Sequence, residues 1–243
     1  MLTIFRKEIN SFLNSLVAYI VIGVFLVLVG LFTWFFDSNV LDYGYADLNN
    51  FFQLTPFIFM FLIPAITMRS FSEEFKSGTI ELLFTKPLSE WQIILGKFFA
   101  TLLLISIALL PTLLYYYSVY QLGNPKGNID SAAVWGSYLG LLLLGASFAA
   151  IGIWASSLTD NQIVAFIIGT VLCYLFYDGI HQISNVFSGT TQFTINYLSL
   201  SYHFEALGRG LIDSRNILFL VSLIFIILYL TKLQLEKVKN SEF

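Results

Sequence analysis

LVAYIVIGVFLVLVGLFTWFF, residues 16–36, carries no charged side chain. As a helix it rises about 30 Å at 1.5 Å per residue, the thickness of the hydrocarbon layer of a bilayer. The whole chain agrees with that reading. Its 243 residues are 57% hydrophobic and only 11% charged, and its mean hydropathy is +0.79. An average soluble domain carries about 25% charged residues, so a soluble fold would lack the polar surface to cover itself. The sequence therefore predicts an all-α protein of the membrane.

Charged residues mark where the remaining spans begin and end. A second span falls between Asp47 and Arg69, about residues 48–68, with Pro56 and Pro64 inside it; neighbouring helices can re-satisfy the carbonyls that these prolines free. The third covers about 98–120, the fourth about 132–157, the fifth about 161–178 and the sixth about 216–232. The last two are short, and thinning of the bilayer or snorkelling of flanking cations would accommodate them. The expected organisation is a single six-span domain over 16–232. It is preceded by an amphipathic segment at 1–15, interrupted by a polar connector at 69–97 and an outer segment at 181–215, and followed by a tail at 233–243. The first span lacks a small-residue cleavage site and reads as retained.

Orientation follows from the basic residues. With the amino terminus in the cytoplasm, Arg6, Lys7, Arg69, Lys76, Lys86, Lys97, Lys232, Lys237 and Lys239 lie inside, against Lys126, Arg209 and Arg215 outside. The positive-inside rule favours this arrangement, with both termini cytoplasmic. In the first segment Phe5, Ile9, Phe12, Leu13 and Leu16 recur at helical spacing with Arg6, Lys7, Glu8, Asn10 and Asn14 between them. Such a helix lies in the headgroup plane, either as an anchor or as an elbow that passes motion to the bundle.

The connector, SFSEEFKSGTIELLFTKPLSEWQIILGKF from Ser70 to Phe98, gathers seven charges yet keeps large apolar residues at helical spacing. Ser70 with Glu73 has the pattern of a capping box, Gly78 predicts a break, and Pro87 disfavours a helical Lys86. Ser89 can cap the helix that leads into the third span. Short stiff pieces of this kind transmit force, whereas a solvated loop with one interfacial helix would need no partner.

The run Glu73-Glu74, Gly78-Thr79-Ile80-Glu81-Leu82-Leu83, Pro87-Leu88-Ser89 and Gly96-Lys97 resembles the connector of ABC-2 type transporter permeases. Together with the six-span layout, the chain is similar to the permease subunit of the gliding-motility-associated ABC transporter of Bacteroidetes. The resemblance implies a type V exporter-like transmembrane domain in the bacterial inner membrane, a second permease copy or related membrane subunit, and a separate ATP-binding subunit. It implies that this subunit meets a coupling helix at Glu73, Glu74, Gly78, Thr79, Glu81, Leu82, Leu83 and Pro87. It also implies short outer helices before the last span, and Phe204–Asp213 resembles that approach.

The chain holds no phosphate-cradling loop of its own. Its only Gly-Lys, at 96–97, is followed by Phe98, and Trp91 stands where the first glycine of GxxxxGK[ST] belongs, so ATP is expected on the partner and no cofactor here. Gly145-Ala146-Ser147 resembles the serine settings of intramembrane proteases, but His181 and His203 are placed near the outer surface, far from Ser147. Two separated histidines and a single Cys173 give no metal-ligand pattern, and the twelve basic residues form no nucleic-acid face. Ala132, Gly136 and Gly140 form a smooth stripe for packing within the bundle or between subunits. Asp178 is a candidate for lining a translocation path, or for a capping or headgroup role. An ATP-independent scaffold or secondary transporter is the alternative function; the scarcity of mid-membrane ionisable residues disfavours ion coupling.

Overall fold

The computed structural model describes the whole chain except residues 37, 38, 43, 211 and 243 and the side chains of residues 17, 241 and 242. Leu211, within the stretch Phe204–Asp213 noted above, thus lies outside the described residues. The chain is 80% helical, and no strand occurs among the described residues. In order the helices are α1 (Leu2–Leu13), α2 (Leu16–Trp34), α3 (Asn49–Thr67), α4 (Arg69–Lys76), α5 (Thr79–Phe84), α6 (Glu90–Leu109) and α7 (Leu113–Leu122). Then follow α8 (Ser131–Ser156), α9 (Gln162–Tyr174), α10 (Ile180–Ser184), α11 (Thr190–Asn196), α12 (Leu200–Gly208) and α13 (Ser214–Glu242). By length and composition five helical units can cross a membrane, and α2 with its bent neighbour α1 raises the number to six.

The fourth span, α8, is the centre of the bundle: 78% of its apolar window is buried, against 22% for the unit 162–184 and 28% for 214–240. Glycine explains why α8 can be surrounded. A methyl group at Gly152 would collide with Thr67 of α3, and one at Gly136 with the carbonyl of Leu207 in α12. Since lipid tails are as apolar as leucine, helices in a bilayer associate through close van der Waals packing, and small residues permit it. Gly136 and Gly140, which faces Phe204, therefore seat α12 of the same chain, while Ala132 remains exposed.

Several boundaries differ from expectation for local reasons. The helix of the second span does not stop at 68; α3 runs on through α4 as one helical unit, Asn49–Lys76. Pro111 sits in a 3-10 turn, Leu110–Thr112, that divides the third span into α6 and α7. The short fifth span is extended by a π-turn, Leu175–Gly179, and α10, which carry it to Ser184. The expected tail is itself helical as far as Glu242, where α13 ends; the 29 residues of that helix rise about 43 Å. Lys232–Glu236, paired at 2.9 Å with the four-residue spacing, supports that continuation.

On the opposite side, α12 folds back against α8 and α13. His203, expected at the surface or in an aromatic belt, is fully buried among Tyr197, Tyr202 and Phe219, stacked on the last at 3.9 Å. Its ring nitrogens meet the Asn216 side chain and the Tyr197 carbonyl, each at 2.8 Å, so α12 can bury a polar ring without leaving it unpaired. His181 is half-buried and paired with Asn196 at 2.9 Å.

Candidate functional site: the α4–α5 connector and its base

The connector is built on a capped, ion-paired base. Ser70 does not cap α4 as its sequence suggests, because it lies inside the helix that continues from α3. Ser156, at the end of α8, does the work from a distance. Its hydroxyl accepts from the backbone N–H groups of Phe71 (2.9 Å) and Ser72 (3.1 Å) and donates to the Met68 carbonyl (2.9 Å). The central helix of the bundle thus holds the first turn of α4. Phe71, fully buried, fills the space beneath.

One turn later Glu74 points inward. Its Oε1 accepts from Lys97 of α6 and from Lys7 of α1, both at 3.0 Å. Lys97, 3% exposed, also donates to Glu8 of α1 at 2.9 Å and to the Ser70 carbonyl at 2.6 Å. Four charges from α1, α4 and α6 therefore meet at one point, with Ile4 of α1 packed against Gly96 of α6 beside them. Burial pushes the Lys7 ammonium down, but the charge and hydrogen bond of Glu74, with Glu8 and Glu73, outweigh it and raise its pKa above 10.5. Lys7 stays charged at neutral pH, as the network requires.

Beyond this base the chain breaks at Gly78, which adopts φ +67°, a left-handed conformation that costs residues with a Cβ about 1–2 kcal/mol. The break starts α5 on a new axis. Ile80 turns into the bundle at 3% exposure, while Thr79, Glu81 and Leu82 face outward, Leu82 with 64% of its surface free. Leu83 is half-buried and Pro87 exposed. Of the eight residues expected to meet a partner, Glu73, Gly78, Thr79, Glu81, Leu82 and Pro87 share the exposed side; Glu74 departs from it, because two lysines hold it inside.

The far end of α5 is held as well. Ser89 and Gln92 form a reciprocal capping box at the start of α6. Lys239, near the end of α13, bonds Glu90 at 2.8 Å and lies 5.8 Å above the Phe84 ring, while Trp91 stacks on Phe225 at 5.7 Å. Sequence reasoning missed Lys7, Glu8, Lys97, Ser156 and Lys239 as parts of the site. The available signal was their place along the chain: Ser156 and Lys239 lie near the ends of α8 and α13, Lys97 two turns into α6, and Lys7 and Glu8 midway along α1. Asp178 lies elsewhere, half-buried in the π-turn with Gln182 at 3.4 Å, and Ser147 is a buried core residue bonded to the Leu143 carbonyl. No cluster of three or more metal-ligating side chains occurs among the described residues.

Helical spans around a small-residue core, with a short exposed helix on an ion-paired base, define an all-α, multi-pass membrane protein. The sequence matches the family model described as ABC-2 family transporter protein over residues 2–237, and the chain belongs to that family. No curated protein matches it.

Proposed function

We propose that this chain is the permease subunit of an ABC transporter whose separate ATP-binding subunit docks on α5. The observation that carries the reading is the two-sidedness of that helix. Ile80 fixes α5 to the bundle, and Leu82 stands free among Glu81, Lys76 and Lys86, which are too charged for lipid. An apolar side chain displayed within a polar, stiffly supported rim suits a protein partner. With both termini in the cytoplasm of a bacterial inner-membrane protein, α5 faces the compartment that holds ATP, in keeping with the distribution of basic residues.

Six spans make half of a translocation unit, so a second permease copy or related membrane subunit completes it. Closure of two motor subunits on ATP would draw the two α5 helices together and alter the gap between the bundles. The likeness of the connector to the gliding-motility-associated permeases supports mechanical work or export in gliding as the task.

A cysteine at Thr79 should crosslink to the ATP-binding subunit in membranes that contain the complex. Leu82→Asp should abolish that crosslink and the coupled ATPase activity while leaving insertion intact. Labelling at Thr79 by lipid-phase reagents alone would refute the docking assignment.

A further inference from the structure

Between α1, the end of α3 and α4 lies a cavity of about 380 Å³. This is far above the roughly 10–15 Å³ that one water needs and within the range of small-molecule sites, roughly 300–1,000 Å³. Its polar wall carries both signs of charge: Lys7, Lys97 and Arg69 against Glu8, Glu73 and Glu74. Its other wall is apolar, with Phe12, Ala18 and Ile66. Phe12 and Ile66 belong to a small cluster with Val21 and Leu104 that leads into the spans. The cavity thus joins the amphipathic helix to the membrane boundary, where a lipid presents its headgroup.

Two features of the polar wall are unspent by the ion network. Glu74 is 7% exposed, and both lysines bind its Oε1, so its Oε2 has no hydrogen-bond partner. A buried carboxylate oxygen without a donor is costly, about 1–3 kcal/mol or more for a charged group. Arg69 and Glu73, both exposed, make no ion pair within 4 Å among the described residues.

We infer that the cavity is a binding site for the headgroup of a phospholipid that bears a primary amine, phosphatidylethanolamine by its chemistry. The phosphate meets Arg69 and Lys7, the ammonium meets Glu73 and Glu74, and the glycerol end leaves along Phe12 and Ile66. Three choices follow from the wall. A bare anion is opposed by three carboxylates, and a bare metal ion by three cations; the six charges sum to zero, which suits a zwitterion. A quaternary ammonium has no N–H to give, whereas Glu74 Oε2 lacks a donor, so a primary amine is preferred over choline. The apolar wall selects a lipid over a soluble phosphoamine. The inference does not depend on the docking of an ATP-binding subunit.

The test is lipid retention by the purified full chain, without the motor. The protein is reconstituted in nanodiscs of equal parts phosphatidylethanolamine, phosphatidylcholine and phosphatidylglycerol, extracted in mild detergent and weighed by native mass spectrometry. Wild type should keep one phosphatidylethanolamine per chain in preference to the other two. Glu74→Gln and Arg69→Ala should each lower that retention about ten-fold or more, the loss expected for one charged hydrogen bond. Arg69 is exposed, so its variant keeps the fold if Glu74→Gln does not. Equal retention of the three lipids by wild type would overturn the proposal, as would unchanged retention in both variants. Displacement of the lipid by an equal concentration of water-soluble glycerophosphoethanolamine would show that the site takes a free metabolite, and would equally overturn it.

Discussion

Replacing Lys97 by methionine should weaken the fold more than any other single change at a charged position of the connector. The ammonium makes three polar contacts, with Glu8 (2.9 Å), Glu74 (3.0 Å) and the Ser70 carbonyl (2.6 Å), and is only 3% exposed. Methionine keeps the length and apolar stem but leaves two carboxylates facing one another across the vacated point. Removing one partner of a buried ion pair costs about 3–5 kcal/mol. The lower end applies here, because Lys7 still reaches Glu74 at 3.0 Å and Glu8 at 3.9 Å and its own side chain is 61% exposed. The expected loss is thus about 3 kcal/mol. Neutralising the stranded carboxylate should recover part of it: Lys97→Met with Glu8→Gln should be more stable than Lys97→Met alone by about 1–2 kcal/mol. Equilibrium unfolding of wild type, both single variants and the double variant, titrated with SDS in mixed micelles, closes a double-mutant cycle. Additivity within about 0.5 kcal/mol, or a loss below about 1 kcal/mol for Lys97→Met, would mean that the four charges do not act as a unit.

Gly152→Ala should cost about 1–3 kcal/mol by the same unfolding assay, since its methyl meets Thr67, and Thr67→Ala in the same chain should restore part of the loss. Lys239→Glu should lower coupled ATPase activity by detaching α13 from Glu90, and the swap with Glu90→Lys should return it; a swap no better than the single change would refute an ionic link. The raised pKa of Lys7 also fixes a pH window. A lysine whose folded pKa exceeds its unfolded value contributes stability that is fully present below 10.5 and is lost as pH rises through the folded value. Unfolding free energy should therefore fall above that point more steeply in wild type than in Lys7→Gln.

The spans were legible because charge is so scarce that each polar break stands out, and the packing stripe at Gly136 and Gly140 was legible from its four-residue spacing. Helix ends were less legible. Ser70-x-x-Glu73 has the local pattern of a cap, yet the real cap of α4 is Ser156, which is 85 residues away from Phe71 and invisible to any local rule. Pro87 and Gly78 acted locally and gave their turns correctly. Lys97 could be read from sequence as a flanking cation and as the end of the connector run, but not as the centre of an ion cluster, since its three acceptors come from helices that meet only in the folded bundle. The same reason hid the inward turn of Glu74: beside Glu73 in the chain the two carboxylates look alike, and only the positions of α1 and α6 separate them.

The arrangement of these contacts decides how a push on α5 travels. Gly78 is the natural pivot, but α4 behind it is held at its first turn by Ser156 and one turn later by Glu74, so α4 cannot rotate without moving α8 or breaking the charge cluster. At the other end α5 meets α6 and α13 through Glu90, Lys239 and the Phe84 ring. Displacement of α5 is therefore shared between two routes. One leads back through α4, by Ser156 to the central helix and by Glu74 to α1 and α6, the other through Lys239 to the last span. The first is a buried ion cluster and stiff; the second is a pair with 40% and 18% exposed side chains, worth at most about 1 kcal/mol, and can yield. Because a stiff route carries most of a shared load, motion imposed at α5 should reach α1 and α8 before it reaches α13.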